Sequence, residues 1–345
     1  MSVLLIRGDA RQIPLRDASV QCVVTSPPYW GLRDYGTAGQ LGLEKTPEEY
    51  IATMLEVFRE VKRVLRGDGT LWINMGDSYC SGASSVRPSS KNATVGGWSG
   101  EANQISRNGT PPGLKPKDLC GIPWMLAFAL RADGWYLRSD IIWHKPNPMP
   151  ESITDRPTKA HEYIFLLSKS EKYFYNQEAI LEPVSQETHL RLSQNLAAQI
   201  GSHRAYGGAK TNGPMKAVSR KAKKQDETGN RRYTGFNERY KVKHNESFDS
   251  QVCLPVTERN KRTVWTVLTQ SFSEAHFATF PEDLIKPCIL AGCPAGGTVL
   301  DPFMGSGTTA LVARSLQCHA VGIELNPEYI AIARRRLRQQ VMEFV

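Results

Sequence analysis

The sequence predicts an α/β protein with a mostly parallel, doubly wound sheet, broken by one strongly basic insert. Three observations carry that expectation. Apolar runs of strand length alternate with segments of helical period, a strand turns into a helix through Gly305 and Gly307, and the positive charge is gathered in one stretch. At 345 residues the chain has length for about two domains of ~150 residues, and 40% hydrophobic with 22% charged residues is an ordinary globular composition.

Val3 to Ile6 and Val20 to Val24 read as buried strands that end in loops. Thr46-Pro47-Glu48-Glu49 reads as a helix start, with a threonine cap, proline in the first turn and glutamate three residues on. Ile51, Met54, Leu55, Phe58, Val61 and Leu65 then recur at helical spacing, and Gly67 is expected to end the helix. Thr70 to Asn74 is a third strand, and the Ser/Gly/Asn/Pro-rich stretch 81–117 is too long for an ordinary connection, so a mobile loop is expected there. Beyond it come an apolar helix at 123–131 and strands at 137–143 and 163–167. Pro281 opens a helix carrying Pro287 inside it, where a kink is expected; strand 298–300, helix 308–316, strand 320–323 and helix 327–338 close the chain.

The formal net charge is +9, and the segment 185–262, with sixteen Lys and Arg against seven Asp and Glu, holds all of it. That segment lacks apolar periodicity and interleaves Tyr206, Tyr233, Phe236 and Tyr240 among the basic residues, a mixture suited to neutralising phosphates with some stacking. Charge alone leaves a solvated loop equally open; the motifs below favour nucleic acid. Lys62, Arg63 and Arg66 lie at the end of a helix, where interaction with its dipole explains them without DNA, and Arg334-Arg335-Arg336 reads as a solvated helix face.

Several classes fall away. The amino terminus lacks a secretory leader's basic start and cleavage site, and the longest apolar run, 122–130, is short of the ~20 residues of a membrane span, so a cytoplasmic location without a membrane partner is expected. Seven cysteines without a CxxC pair support neither a disulfide framework nor a zinc ribbon, and His161-Glu162 has no second histidine at helical spacing, so no metal is expected.

Two motifs carry chemistry. In Leu300-Asp301-Pro302-Phe303-Met304-Gly305-Ser306-Gly307-Thr308-Thr309 a strand enters a helix through two glycines, where backbone can approach a nucleotide-like ligand, and Glu324 ends the next strand, where a carboxylate can accept ribose hydroxyls. No lysine follows Gly307, which disfavours ATP; Ala310 in the third-glycine position leaves NAD open; the acidic Asp301 favours a cationic ligand such as S-adenosylmethionine. The second motif, Thr25-Ser26-Pro27-Pro28-Tyr29-Trp30, ends a strand with two prolines that remove amide donors, leaving carbonyls and the Ser26 hydroxyl as acceptors beside an aromatic face.

Together these motifs, in this order around a basic segment, resemble the DNA amino-methyltransferases that act on cytosine N4 or adenine N6, in their beta-group arrangement. The resemblance implies a permuted Rossmann-like, S-adenosylmethionine-dependent fold: residues 1–184 as the catalytic half, 185–262 as the target-recognition insert and 263–345 as the cofactor half. It implies that Asp301, Phe303, Gly305, Gly307 and Thr308 surround the methionine part of the cofactor, Glu324 holds the ribose, and Asp9 approaches the adenine. His276-Phe277-Ala278-Thr279-Phe280-Pro281 resembles the segment preceding the family's glycines, with Phe280 and Pro281 lining the pocket.

The target base must be flipped from double-stranded DNA, with Tyr29 stacking on it and its amine donating to the Ser26 hydroxyl and the Pro27 carbonyl, held by the Pro27-Pro28 turn. A covalent intermediate is unnecessary. Within the resemblance, serine before Pro-Pro-Tyr is more typical of cytosine N4, which is favoured over adenine N6. The other readings are an NAD-dependent oxidoreductase and a DNA-binding protein with an inactive site. A homodimer and a cognate restriction enzyme are the partners the resemblance suggests.

Overall fold

The computed structural model describes residues 1–32, 34–80, 111–184, 258–269 and 280–342. The chain divides into two units, one of Met1–Ile180 with Arg262–Val345 and one of Leu181–Lys261. In the second unit, β6 (Glu182–Pro183) pairs antiparallel with β7 (Glu258–Arg259), and Arg259 Nε donates to Glu182 Oε1 at 3.0 Å. Residues 185–257 of the basic insert, with its four aromatic residues, lie outside the described residues, as do 81–110 of the expected mobile loop.

The first unit is built on one eight-stranded sheet, in order β1-β10-β9-β2-β3-β5-β4-β8. Its strands are β1 (Val3–Arg7), β2 (Val20–Thr25), β3 (Leu65–Met75), β4 (Tyr136–His144), β5 (His161–Ser168), β8 (Val264–Thr266), β9 (Thr298–Asp301) and β10 (His319–Glu324). Only the β3/β5 and β5/β4 pairings of this sheet are antiparallel. Helices cover both faces, as expected of strands that read as continuous apolar runs. Tyr50, Met54 and Phe58 of α1 (Pro47–Val64) and Leu126 and Leu130 of α2 (Ile122–Ala132) share one core with Val23, Leu71 and Ile73. On the other face α3 (Glu282–Gly292) and α4 (Thr308–Ser315) bury Leu284, Ile285, Leu311 and Val312 against Val24, Trp72 and Val299. Burying each such side chain contributes about 1.5–3 kcal/mol before chain entropy is subtracted. The closing helix α5 (Pro327–Met342) packs Ile330 and Ala333 on Met304.

The α1 start forms as expected, with Thr46 Oγ1 accepting from Glu49 N at 3.2 Å; the Glu49 carboxylate reaches back to Lys45 N at 3.0 Å. Its end does not. The helix stops at Val64 and Leu65 is already extended (φ −72°, ψ 137°), so Gly67 lies inside β3 and caps nothing. Sheet pairing decides this: Leu65 pairs with Val20, and Ser19 N donates to Val64 O at 2.8 Å, drawing the chain straight from helix into strand. Lys62 and Arg63 are tied down too. Lys62 Nζ donates to Asp133 O, while Arg63 donates to Ile13 O, Leu15 O, Asp17 and Glu60, locking the β1–β2 connection onto α1.

Helix α3 runs through Pro287, which therefore does not end it. No helix among the described residues is long and apolar enough to cross a membrane. The six described cysteines are free and buried, and no group of three metal-ligating side chains occurs among the described residues.

Candidate active site

Strands β1, β2, β3, β9 and β10 run parallel, so their carboxyl ends share one edge of the sheet, where a doubly wound fold leaves a crevice. A cleft of about 300 Å³ opens there. Much of its wall comes from strand ends: Gly8 and Asp9 after β1, Ser26 to Tyr29 after β2, Asn74 in β3, Pro302 to Ser306 after β9, and Glu324 to Asn326 at β10. Both sequence motifs therefore face one space, although they lie about 275 residues apart in the chain.

On the cofactor side, Gly305 has φ +54° and its N–H donates to Glu324 Oε2 at 2.9 Å, while Asn326 N donates to Oε1 at 2.8 Å. Each carboxylate oxygen keeps a lone pair for a ribose hydroxyl. Burial holds the Glu324 carboxyl above its ordinary range, against the pull of those amides. Phe280, Phe303 and Thr308 line the same cleft. Asp9 does as well, gripped by the Arg11 guanidinium with Nη2 at 2.6 Å from Oδ2. Burial works upward on the Asp9 carboxyl, but the Arg11 hydrogen bonds outweigh it and hold the group below its ordinary value.

Three expected lining residues stand behind the wall. Asp301 is 2% exposed, and its oxygens accept from Thr25 Oγ1 (2.7 Å), Thr309 Oγ1 (2.6 Å) and Phe303 N (3.0 Å). The acid that the sequence reading turned toward a cationic ligand is spent on binding the two motifs to each other. Burial pushes its carboxyl up to about 6. Gly307, at φ +84°, packs on α5, where an added Cβ would lie 2.9 Å from Ala333 Cβ. Pro281 precedes α3 as its cap residue and is buried beside the cleft rather than on its wall. His276 to Thr279 lie outside the described residues.

On the opposite side the Ser26-Pro27-Pro28-Tyr29 turn is held from beneath. Tyr50 of α1 donates to Pro28 O at 2.8 Å, and Ser26, Pro27, Pro28 and Tyr29 all line the cleft. The Tyr29 phenol donates to Glu162 Oε2 at 2.8 Å. Burial first, and the Glu162 charge second, push that phenol well above its ordinary range, so it stays protonated.

A family model described as DNA methylase matches residues 20–335. The chain belongs to that family. The methylase is 44% identical to the Type II methyltransferase M.Cfr9I of Citrobacter freundii over 97% of its own length and 87% of the relative's. It is 43% identical to M.SmaI of Serratia marcescens over 97% of its length and 91% of that protein's. Among solved structures, the PvuII DNA methyltransferase (cytosine-N4-specific) has the same fold with a TM-score of 0.56 at 16% identity, covering 97% of this chain and 86% of that one. A putative DNA modification methylase from Thermus thermophilus, solved with S-adenosyl-L-methionine, aligns with a TM-score of 0.53 at 22% identity over 98% and 94%. The methylase is thus an amino-methyltransferase of the N4/N6 class on the Rossmann-like fold that its motifs imply.

Further side chains join the cleft wall, Glu162 and Asn74 without any signal in the sequence reading and Lys145 from the Trp143–Asn147 run that could form part of a DNA cleft. Lys145 donates from Nζ to Glu162 Oε1. Trp143 belongs to core and cleft together: it is 3% exposed, donates from Nε1 to Val267 O at 2.9 Å, and lines the cleft. Arg336, expected on a solvated face, donates from Nη1 to Ser306 O (2.9 Å), Ser306 Oγ (2.8 Å) and Thr308 Oγ1 (3.0 Å), bracing the glycine turn. A Trp-x-Lys at one strand end and an acid opening the next strand was the only available signal.

Proposed function

We propose that the methylase transfers a methyl group from S-adenosylmethionine to the N4 amine of a cytosine flipped out of double-stranded DNA. One observation carries this reading: Ser26 to Tyr29 and the Gly305/Glu324 pair line the same cleft, so an amine and a methyl donor can meet there. When bound, S-adenosylmethionine supplies a methyl carbon activated by its sulfonium. The donor set suits it, with Gly305 and Glu324 for polar and ribose groups and Phe280 and Phe303 for apolar surface.

On the base side the residues have separable tasks. Tyr29 presents its ring for stacking, and the Ser26 hydroxyl and Pro27 carbonyl accept the two amine hydrogens. Those bonds turn the nitrogen lone pair out of ring conjugation and hold it toward the donor methyl, so much of the barrier is met by orientation. Serine, unable to hold a proton of its own, serves as acceptor and orienter, and the proton that the methylated nitrogen sheds passes to solvent water. Cytosine is preferred over adenine because serine precedes Pro27-Pro28, and the cytosine-N4 specificity named for the PvuII enzyme supports that choice. The Type II names of its relatives support a role as the modification partner of a restriction enzyme.

The test is direct. Unmethylated DNA is incubated with the protein and isotopically labelled S-adenosylmethionine, digested, and its nucleosides separated by mass spectrometry. Labelled N4-methylcytosine is expected. Labelled N6-methyladenine overturns the choice of base, and no label in either nucleoside overturns the reading.

A further inference from the structure

A ring that stacks on an incoming base performs best when its plane is fixed before the base arrives. In the methylase the Ser26 hydroxyl and the Gly76 backbone also reach the Tyr29 phenol, but the charged partner comes from outside the Ser26-Pro27-Pro28-Tyr29 turn. Glu162, at the start of β5, accepts the Tyr29 phenol on Oε2 at 2.8 Å and Asn74 Nδ2 on the same oxygen at 3.2 Å; Lys145 Nζ donates to Oε1. The Glu162 and Lys145 side chains are only 15% and 19% exposed. Lys145 Nζ also sits 4.3 Å from the centre of the Trp143 ring, so the cation that balances Glu162 is itself held in place. Behind Tyr29 there is no slack: a Cβ on Gly76 would lie 2.8 Å from Tyr29 Cε2. Tyr29, Asn74, Lys145 and Glu162 come from the ends of β2, β3, β4 and β5, and all four line the cleft.

We infer that Glu162 is a positioning residue for methyl transfer that acts through Tyr29: its carboxylate holds the phenol, and with it the ring plane that receives the target base. The inference rests on the reading of this cleft as the site that accepts the base. A carboxylate suits the task because a charge-assisted hydrogen bond is shorter and stronger than a neutral one, and Lys145 and Asn74 occupy two of its other lone pairs in a poorly solvated place.

The full-length wild type, Y29F, E162A, E162Q and the Y29F/E162A double variant are compared in single-turnover methyl transfer to PCR-amplified DNA, together with S-adenosylmethionine affinity by calorimetry and Tm. Y29F and E162A are each expected to slow transfer roughly tenfold to a hundredfold. The double variant should be no slower than the slower single one, the non-additivity of two residues acting as one unit. S-adenosylmethionine affinity should not change, and E162Q, which keeps an acceptor oxygen, should recover most of the rate. Multiplying effects in the double variant overturn the inference, because Glu162 then acts on something other than Tyr29, direct contact with the base included. A loss of cofactor affinity or a large fall in Tm shared by E162A and E162Q overturns it in favour of a structural role. Should E162A fail to fold, Y29F decides: transfer at the wild-type rate without the hydroxyl sinks the assignment. A wild type that binds S-adenosylmethionine but methylates no DNA shows instead that the underlying reading of the cleft has failed.

Discussion

Asp301 sits between Thr25, the last residue before the Ser-Pro-Pro-Tyr turn, and Thr309, in the helix behind the cofactor turn, so one carboxylate sets the spacing of both halves of the cleft. Its carboxyl is raised by burial from an ordinary 3.8 to about 6, so the folded chain binds that proton more tightly than the unfolded one. The stabilisation from this group is full below the unfolded value and is lost as pH rises through the folded value. Measured as Tm, wild type should therefore gain on D301N between pH 8 and pH 5; a gap independent of pH would show that Asp301 does not titrate there. Residues of this kind were half legible. Ser26, Tyr29, Gly305 and Glu324, which line the cleft, were legible as candidates because residue type and strand-end position already limit what they can do. Glu162 and Arg336 were not, because each works through partners 133 or about 30 residues away, a pairing that no local pattern encodes.

At the level of elements, the turn after β9 is shaped by two glycines with different tasks. Gly305 has positive φ and open space around its Cα, whereas Gly307 combines φ +84° with an Ala333 Cβ that would stand 2.9 Å from any side chain. G307A should thus pay both backbone strain and overpacking, about 1–3 kcal/mol, and G305A the backbone term alone. Thermal melts should rank the variants wild type, then G305A, then G307A; equal Tm values for the two variants would contradict the contact with α5. The order and type of the main elements were readable because apolar runs and helical periods are long and unambiguous here. The α1–β3 boundary was not. Gly67 carries the ordinary mark of a helix stop, yet the pairing of Leu65 with Val20 claims the chain two residues earlier, and tertiary pairing outweighs a local signal.

For the whole molecule, the separation of charge from chemistry makes a prediction of its own. The surplus of +9 lies in 185–262, while both cleft motifs lie outside it, so DNA attraction and methyl transfer should be separable. Replacing Lys221, Lys223 and Lys224 with glutamine should flatten the dependence of log DNA affinity on log salt by up to about 0.9 per lost phosphate contact, with S-adenosylmethionine affinity unchanged. An unaltered slope would remove these lysines from the DNA-facing surface. Why the insert resisted finer reading is also physical: base contacts depend on geometry, and neither charge nor aromatic content fixes that.

The sheet order has a consequence for how the protein is made. Strand β2 lies between β3, its near neighbour in the chain, and β9, which begins at Thr298, and β1 waits for β10 at His319. On the ribosome β2 keeps a bare edge until β9 has emerged and β1 waits for β10, because among the described residues no earlier strand fills either place in the sheet. A nascent chain interrupted anywhere in the basic insert therefore carries the complete Ser-Pro-Pro-Tyr segment with neither the partner strand that braces it nor the turn it faces. Such a fragment offers an unpaired edge for aggregation. In the cell, termination within the insert should yield material for proteolysis rather than a chain able to assemble the cleft.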